Sequence, residues 1–225
     1  MIKELLSVFK GHSLMERAYQ RSYEMLYLTE DMFKTAKNVL RNTETTDIDI
    51  DIDDQDIEVN RFQREVRKDV FSDLLMSGSE KLPSGLALVS IVIDVERIGD
   101  YTKNIVEIAK SHTKKLTAGD FEKDLQKIEK AIEENFAKTI DCFINSDEKV
   151  AMELLTDYKW VSRLCDQKIN QLIRGEDASL SVSSAVALAI YLRSIKRIYS
   201  HLRNVTTSVI NPFHRIGYKP KKRDL

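Results

Sequence analysis

The chain has 225 residues, of which only 7 are Gly and 3 are Pro. Hairpins and phosphate-cradling loops draw on those two residues, so their scarcity speaks against a β sandwich, a barrel or a Gly-rich nucleotide enzyme. A net charge of −1, from 35 Lys+Arg against 36 Asp+Glu, excludes a nucleic-acid binder steered by its overall field.

The opening stretch, MIKELLSVFKGHSLMERAY, has no apolar run long enough for a secretory signal. No window approaches the roughly 18 apolar residues of a membrane span. Cys142 and Cys165 are too few for a disulfide framework. A soluble cytoplasmic protein is expected. The breakers fall in clusters: Gly11, an acidic stretch at 43–56, Gly78 with Pro83 and Gly85, then Gly119, Gly175, and finally Pro212, Gly217 and Pro220. Between them the sequence predicts six helices, at 12–42, 56–77, 82–114, 118–146, 147–174 and 179–211. Asp147 is placed to cap the fifth and Gly175 to follow its C-terminus.

Apolar residues recur at helical spacing. The third helix carries Leu88, Ile91, Val95, Ile98, Ile105 and Ala109, with Thr102 in the missing slot. The fourth carries Phe121, Leu125, Ile128, Ile132, Phe136, Ile140 and Phe143. The fifth carries Leu154, Tyr158, Val161, Cys165, Ile169 and Leu172. The third stripe recurs one hundred residues later as Leu188, Tyr191, Ile195, Ile198, Val205 and Val209, and Arg97 and Asn104 meet Arg197 and Asn204. Matched polar residues in a shared apolar phase indicate a duplication. The expected fold is all-α, two tandem three-helix bundles at 1–115 and 116–211, with a basic tail at 212–225.

In the third helix Glu96 and Asp100 stand one turn apart, about 6 Å along the axis. Two such carboxylates suit hard, oxygen-seeking cations. The plainer alternative is a solvated acidic stripe paired with Arg97 and Lys103. Gly99 lies between them, inside a helix at a cost of about 1 kcal/mol relative to Ala, which suggests close approach of another helix or a ligand.

Asp94-Val95-Glu96-Arg97-Ile98-Gly99-Asp100, followed by Lys103-Asn104-Ile105, resembles the signature helix of the PhoU proteins, the phosphate-uptake regulators. The family's two tandem three-helix bundles agree with the duplication, so the resemblance spans 12–211. It implies a non-enzymatic regulator contacting a phosphate transporter or a sensor histidine kinase at the inner membrane face. It also implies a divalent or iron ion in the first repeat, with Glu96 and Asp100 as ligands and Arg97, Asn104 and Arg197 holding the motif or a partner. A homodimer is compatible with it.

The second repeat departs from the pattern. Lys196 replaces Glu96, Ser200 replaces Asp100, Tyr199 replaces Gly99 and His201 replaces Tyr101. Two adjacent cations, Lys196 and Arg197, would repel a metal. The second helix offers Gln63 and Arg67, or Arg61 and Glu65, where a facing acidic pair is wanted; Asp69 and Asp73 have the spacing but lie further along. Two other classes therefore stand beside the regulator: a carboxylate-rich metal bundle for storage or redox chemistry, and a metal-free helical adaptor. Against the former, no duplicated Glu-xxx-His set is present.

The segment 47–58 imitates a calcium loop with Asp47, Asp49, Asp51 and Glu58, but Ile52 stands where the sharp turn needs Gly. An acidic interhelical loop leading into a helix N-terminus is the better reading. The basic 219–223 tail reads as solvated, with weak attraction to anionic lipid as its functional alternative. His201 reads as a structural histidine, and Trp160 as core or interface.

Overall fold

A computed structural model describes residues 13–44, 51–112 and 114–220. His12, positions 47–50 of the acidic segment and 221–223 of the basic tail lie outside the described residues. Among the described residues seven α-helices follow in order: α1 (Leu14–Asn42), α2 (Ile52–Ser77), α3 (Leu82–Ser111), α4 (Glu122–Asn145), α5 (Glu148–Asp157), α6 (Trp160–Ile173) and α7 (Val182–Ile210). The described residues hold no strand. Among the described residues no helix is long and apolar enough to cross a membrane.

Helix starts follow local chemistry. Ser13 accepts from the Glu16 N–H, and Ser181 does the same for Ser184, each satisfying an orphan donor of a first turn. Asp147 accepts from both Lys149 and Val150, as its position predicts. Gly175 follows α6 at φ 66°, the left-handed conformation that glycine enters without strain.

Every member of the predicted third and fourth stripes is buried, and so is the repeated stripe on α7. The first bundle is α1, α2 and α3; the second is α4, α5 with α6, and α7. They meet along α3 against α7 and α1 against α4, and one continuous apolar core runs through both. The Tyr19 hydroxyl donates to the Phe143 carbonyl across that seam.

Three expectations are corrected. The fifth helix is two helices, broken at Tyr158 and Lys159. There the Tyr158 N–H turns to both Leu154 and Thr156 carbonyls, and the tightened turn redirects the chain without Gly or Pro. The second helix begins at Ile52, because Asp51 caps it through the Asp54 N–H. Residues 52–58 are therefore helical, which removes the loop a calcium site would need. Gly85 is not a break but a buried member of α3. A Cβ there would stand 2.9 Å from Val70 Cγ1, so glycine lets α2 and α3 close.

Candidate functional site

Glu96 and Asp100 lie on one side of α3, but Arg97 lies with them. Its Nη1 donates to Asp100 Oδ2 at 2.9 Å, and its Nε is 3.7 Å from Glu96 Oε2. The guanidinium is half exposed, whereas the Glu96 side chain keeps only 17% of its surface. Burial raises the Glu96 carboxyl above its usual range; Asp100 adds to this, Arg97 opposes it, and Asp56 and Arg67 act with smaller opposite effects.

Asp56 is the acid of α2 nearest this place. Its Oδ2 accepts from Lys103 Nζ at 3.0 Å and from Asn60 Nδ2 at 3.2 Å, while its buried Oδ1 has no hydrogen-bond partner. Asp69 and Asp73, which have the ligand spacing, are engaged by α1 and the α2–α3 turn. Asp69 accepts from Arg17 Nε at 2.8 Å and Arg21 Nη1 at 2.7 Å. Asp73 accepts from the Met15 N–H, from Ser77 Oγ and from Lys81 Nζ. Among the described residues no three His, Cys, Asp or Glu side chains converge as a metal-holding group. This donor set does not fit a multinuclear cluster.

Gly99 is close to α2, but not tightly: a Cβ would sit 3.5 Å from Val59 Cγ1, an ordinary contact. The packing at this position does not demand glycine.

At the matching place on α7, Lys196 Nζ holds both oxygens of Asp166 on α6, at 2.5 and 2.7 Å. Tyr199, in the place of Gly99, is buried. Arg197 reaches across to α3, where its Nε donates to the Tyr101 hydroxyl at 3.1 Å. Asn104 is exposed near the end of α3 and touches none of the other candidate residues through a hydrogen bond.

Asp94, His201 and Asn204 stand in the sequence pattern, but that they join the repeats does not. Asp94 Oδ1 meets His201 Nδ1 at 2.7 Å and accepts from Asn204 Nδ2 at 2.8 Å. His201 also stacks on Tyr101, with ring centroids 5.8 Å apart. The duplication itself was the available signal, since Asp94 and Asn204 both belong to the repeated motif. A second joint has Arg41 Nε 3.0 Å from Glu129 Oε1, with the Tyr191 hydroxyl donating to the same oxygen at 2.9 Å. Arg41 also bonds Glu122 and the Leu116 carbonyl. Burial pushes the Glu129 carboxyl up, against Arg41 and Tyr191. Nothing in the local pattern marks Arg41, because its partners lie on α4 and in the loop before it.

Residues 23–109 match the family model of the PhoU domain. Over that stretch the chain is similar to a PhoU domain. That match takes in most of α1, all of α2 and nearly all of α3, the bundle that holds Glu96 and Asp100. Two solved PhoU structures share the fold over most of this chain. PhoU from Pseudomonas aeruginosa has a TM-score of 0.74 at 21% identity, covering 88% of this chain and 95% of that one. The phosphate transport system regulatory protein PhoU from Streptococcus pneumoniae has a TM-score of 0.71 at 15% identity, covering 87% of this chain and 93% of that one. No curated protein matches in sequence. The PhoU architecture thus extends over both bundles, while the PhoU family match falls on the first.

Proposed function

We propose that this chain is a regulator of phosphate transport that acts by binding rather than by catalysis. The observation that carries the reading is the match of residues 23–109 to the PhoU domain, in a fold shared over 87% of this chain with a phosphate transport system regulatory protein. Its partners in this reading are a phosphate transporter or a sensor histidine kinase, met at the cytoplasmic face of the inner membrane. Long helices offer broad, rigid surfaces, and differential contact with two states of a partner supplies the coupling free energy. Deleting the gene in its host and measuring phosphate uptake tests this. Altered uptake at high phosphate, restored by the intact gene, is expected. Unchanged uptake, together with no binding of the purified chain to the transporter or kinase, would end the proposal.

A cation at Glu96 and Asp100 is a separate proposal. Two carboxylates provide few of the oxygens a hard cation wants, and Arg97 already neutralises Asp100. A metal would bind there in exchange for the guanidinium. Elemental analysis of native protein, repeated after E96A with D100A, tests it. Stoichiometric metal that the double variant loses supports the site; no metal in the native protein leaves a metal-free regulator.

A further inference from the structure

A cavity of about 400 Å³ lies where the break between α5 and α6, the middle of α7 and residues 219–220 meet. That volume is in the range of small-molecule sites, roughly 300–1,000 Å³. Three cations line it: Lys159 at the break, Arg203 on α7 and Lys219 beyond α7. None of its described lining residues is an Asp or a Glu. Arg203 is partly buried, and neither its guanidinium nor the Lys159 ammonium forms an ion pair or hydrogen bond among the described residues. The backbone carbonyl of Lys219 accepts from Arg215 Nη2 at 2.7 Å, which holds this residue beside the cavity. Cations gathered in one place repel each other, and an anion between them removes that cost.

The neutral groups point the same way. Tyr199 is 4% exposed and lines the cavity, yet its hydroxyl has no hydrogen-bond partner among the described residues. A buried hydroxyl left without a partner costs free energy that a ligand oxygen would restore. Ser162 lies in the first turn of α6 and also lines the cavity, and no side chain caps that helix. The uncapped N–H groups and the helix dipole favour negative charge at this end.

The first repeat supplies the contrast. Subtracting one hundred turns Tyr199 and Arg203 into Gly99 and Lys103. Lys103 Nζ is 3.0 Å from Asp56 Oδ2 and 3.7 Å from Asp53 Oδ1, so α2, unbroken from Ile52 to Ser77, neutralises that cation. In the second repeat the intervening helix is split, and the cation on α7 is left without a carboxylate.

We propose that this cavity binds an anion carrying two linked phosphoryl groups. One phosphate group bears roughly 1.5 to 2 negative charges near neutrality, so two of them match three cations. The Arg203 fork suits a pair of phosphate oxygens, while Lys159 and Lys219 act as point charges. The Tyr199 and Ser162 hydroxyls donate to further oxygens. Met152 and Leu155, in the same lining, offer an apolar wall to the organic part of a diphosphate ester. The inference rests on the second bundle alone and is independent of the regulatory reading.

Isothermal titration calorimetry of the full chain with ADP and with inorganic pyrophosphate, without added metal, tests it. Saturable binding of one anion per chain is expected, weakening as salt rises. R203M should weaken it at least tenfold, K159A several-fold and Y199F a few-fold. K130A, which removes an exposed cation on α4, should leave it unchanged. Circular dichroism checks that each variant keeps its helices, and K159A, at an exposed position, carries the test should R203M fail to fold. Tighter binding of ADP than of pyrophosphate assigns an ester; equal binding assigns free diphosphate. No saturable binding of either, equal loss with K130A, or citrate binding as tightly as pyrophosphate overturns the proposal. So does sedimentation with phosphatidylglycerol vesicles that R203M abolishes while ADP and pyrophosphate fail to bind, which would make a lipid headgroup the occupant.

Discussion

The centres of α3 and α7 are the same stretch of sequence drawn apart. In α3 a half-buried glutamate shares an arginine with an aspartate. In α7 a lysine at the glutamate's position reaches out to Asp166 and grips it with both oxygens. Both arrangements set a cation against a carboxylate, but the one on α7 is closed on itself within its bundle. The one on α3 keeps Asp100 partly exposed and Glu96 uncomfortable. Duplication therefore preserved the apolar phase, which the core requires of both helices. It left the polar face free to settle in one half and stay available in the other.

The largest effect is expected where the two halves are pinned together regardless of that difference. Replacing Arg41 with Ala leaves Glu129 buried beside Tyr191 without its counter-charge, and should cost about 3–5 kcal/mol in denaturant unfolding. A loss below 1 kcal/mol would show that the joint is not an energetic one. Next comes a direct transplant between repeats. Position 185 is Ala where position 85 is Gly. G85A imports that residue against Val70 and Leu74, and should cost about 1–3 kcal/mol through overpacking.

The opposite sign is expected one helical stretch later. G99A meets only ordinary contacts, so it should gain up to about 1 kcal/mol from helix propensity. A loss of stability at position 99 would restore the idea that glycine is required there. Smaller still, K196M should change stability by less than about 1 kcal/mol, because both members of the Lys196–Asp166 pair are partly exposed.

The smallest effect concerns Glu96 and depends on pH. Its carboxyl is held above the usual range, first by burial and then by Asp100. The stability this group contributes is fully present below its unfolded value, about 4.3, and is lost as pH rises through the folded value. E96Q should therefore add a few tenths of a kcal/mol at neutral pH and flatten the mildly acidic part of the stability profile. Destabilisation by E96Q at neutral pH would instead reveal a cation that the carboxylate holds.

How far the sequence could be read follows from the range of each cause. The apolar stripes of α3, α4 and α7 were legible in full, because a 3.6-residue period is local. So were the caps at Asp147 and Gly175. The break at Tyr158 escaped because Leu154, Tyr158, Val161 and Cys165 keep their phase across it. Gly85 was misjudged because its neighbours Val70 and Met15 come from other helices. At the candidate site, the residues on one helix were found and their partners were not. Asp94 answers to His201 and Asn204, and Asp69 to Arg17 and Arg21, none of which a periodic pattern can link. The expected pairing of Arg97 with the acidic stripe is present at Asp100, but Lys103, expected there too, goes to Asp56 on α2.

The two cysteines carry a consequence of their own. Both are fully buried, and burial pushes each thiol up to about 12. Only the thiolate attacks oxidants and alkylating agents, so at neutral pH roughly one molecule in 10⁵ would present a reactive sulfur. The folded protein should be indifferent to the redox poise around it. A single cysteine introduced at an exposed position would then be the one thiol that reagents find.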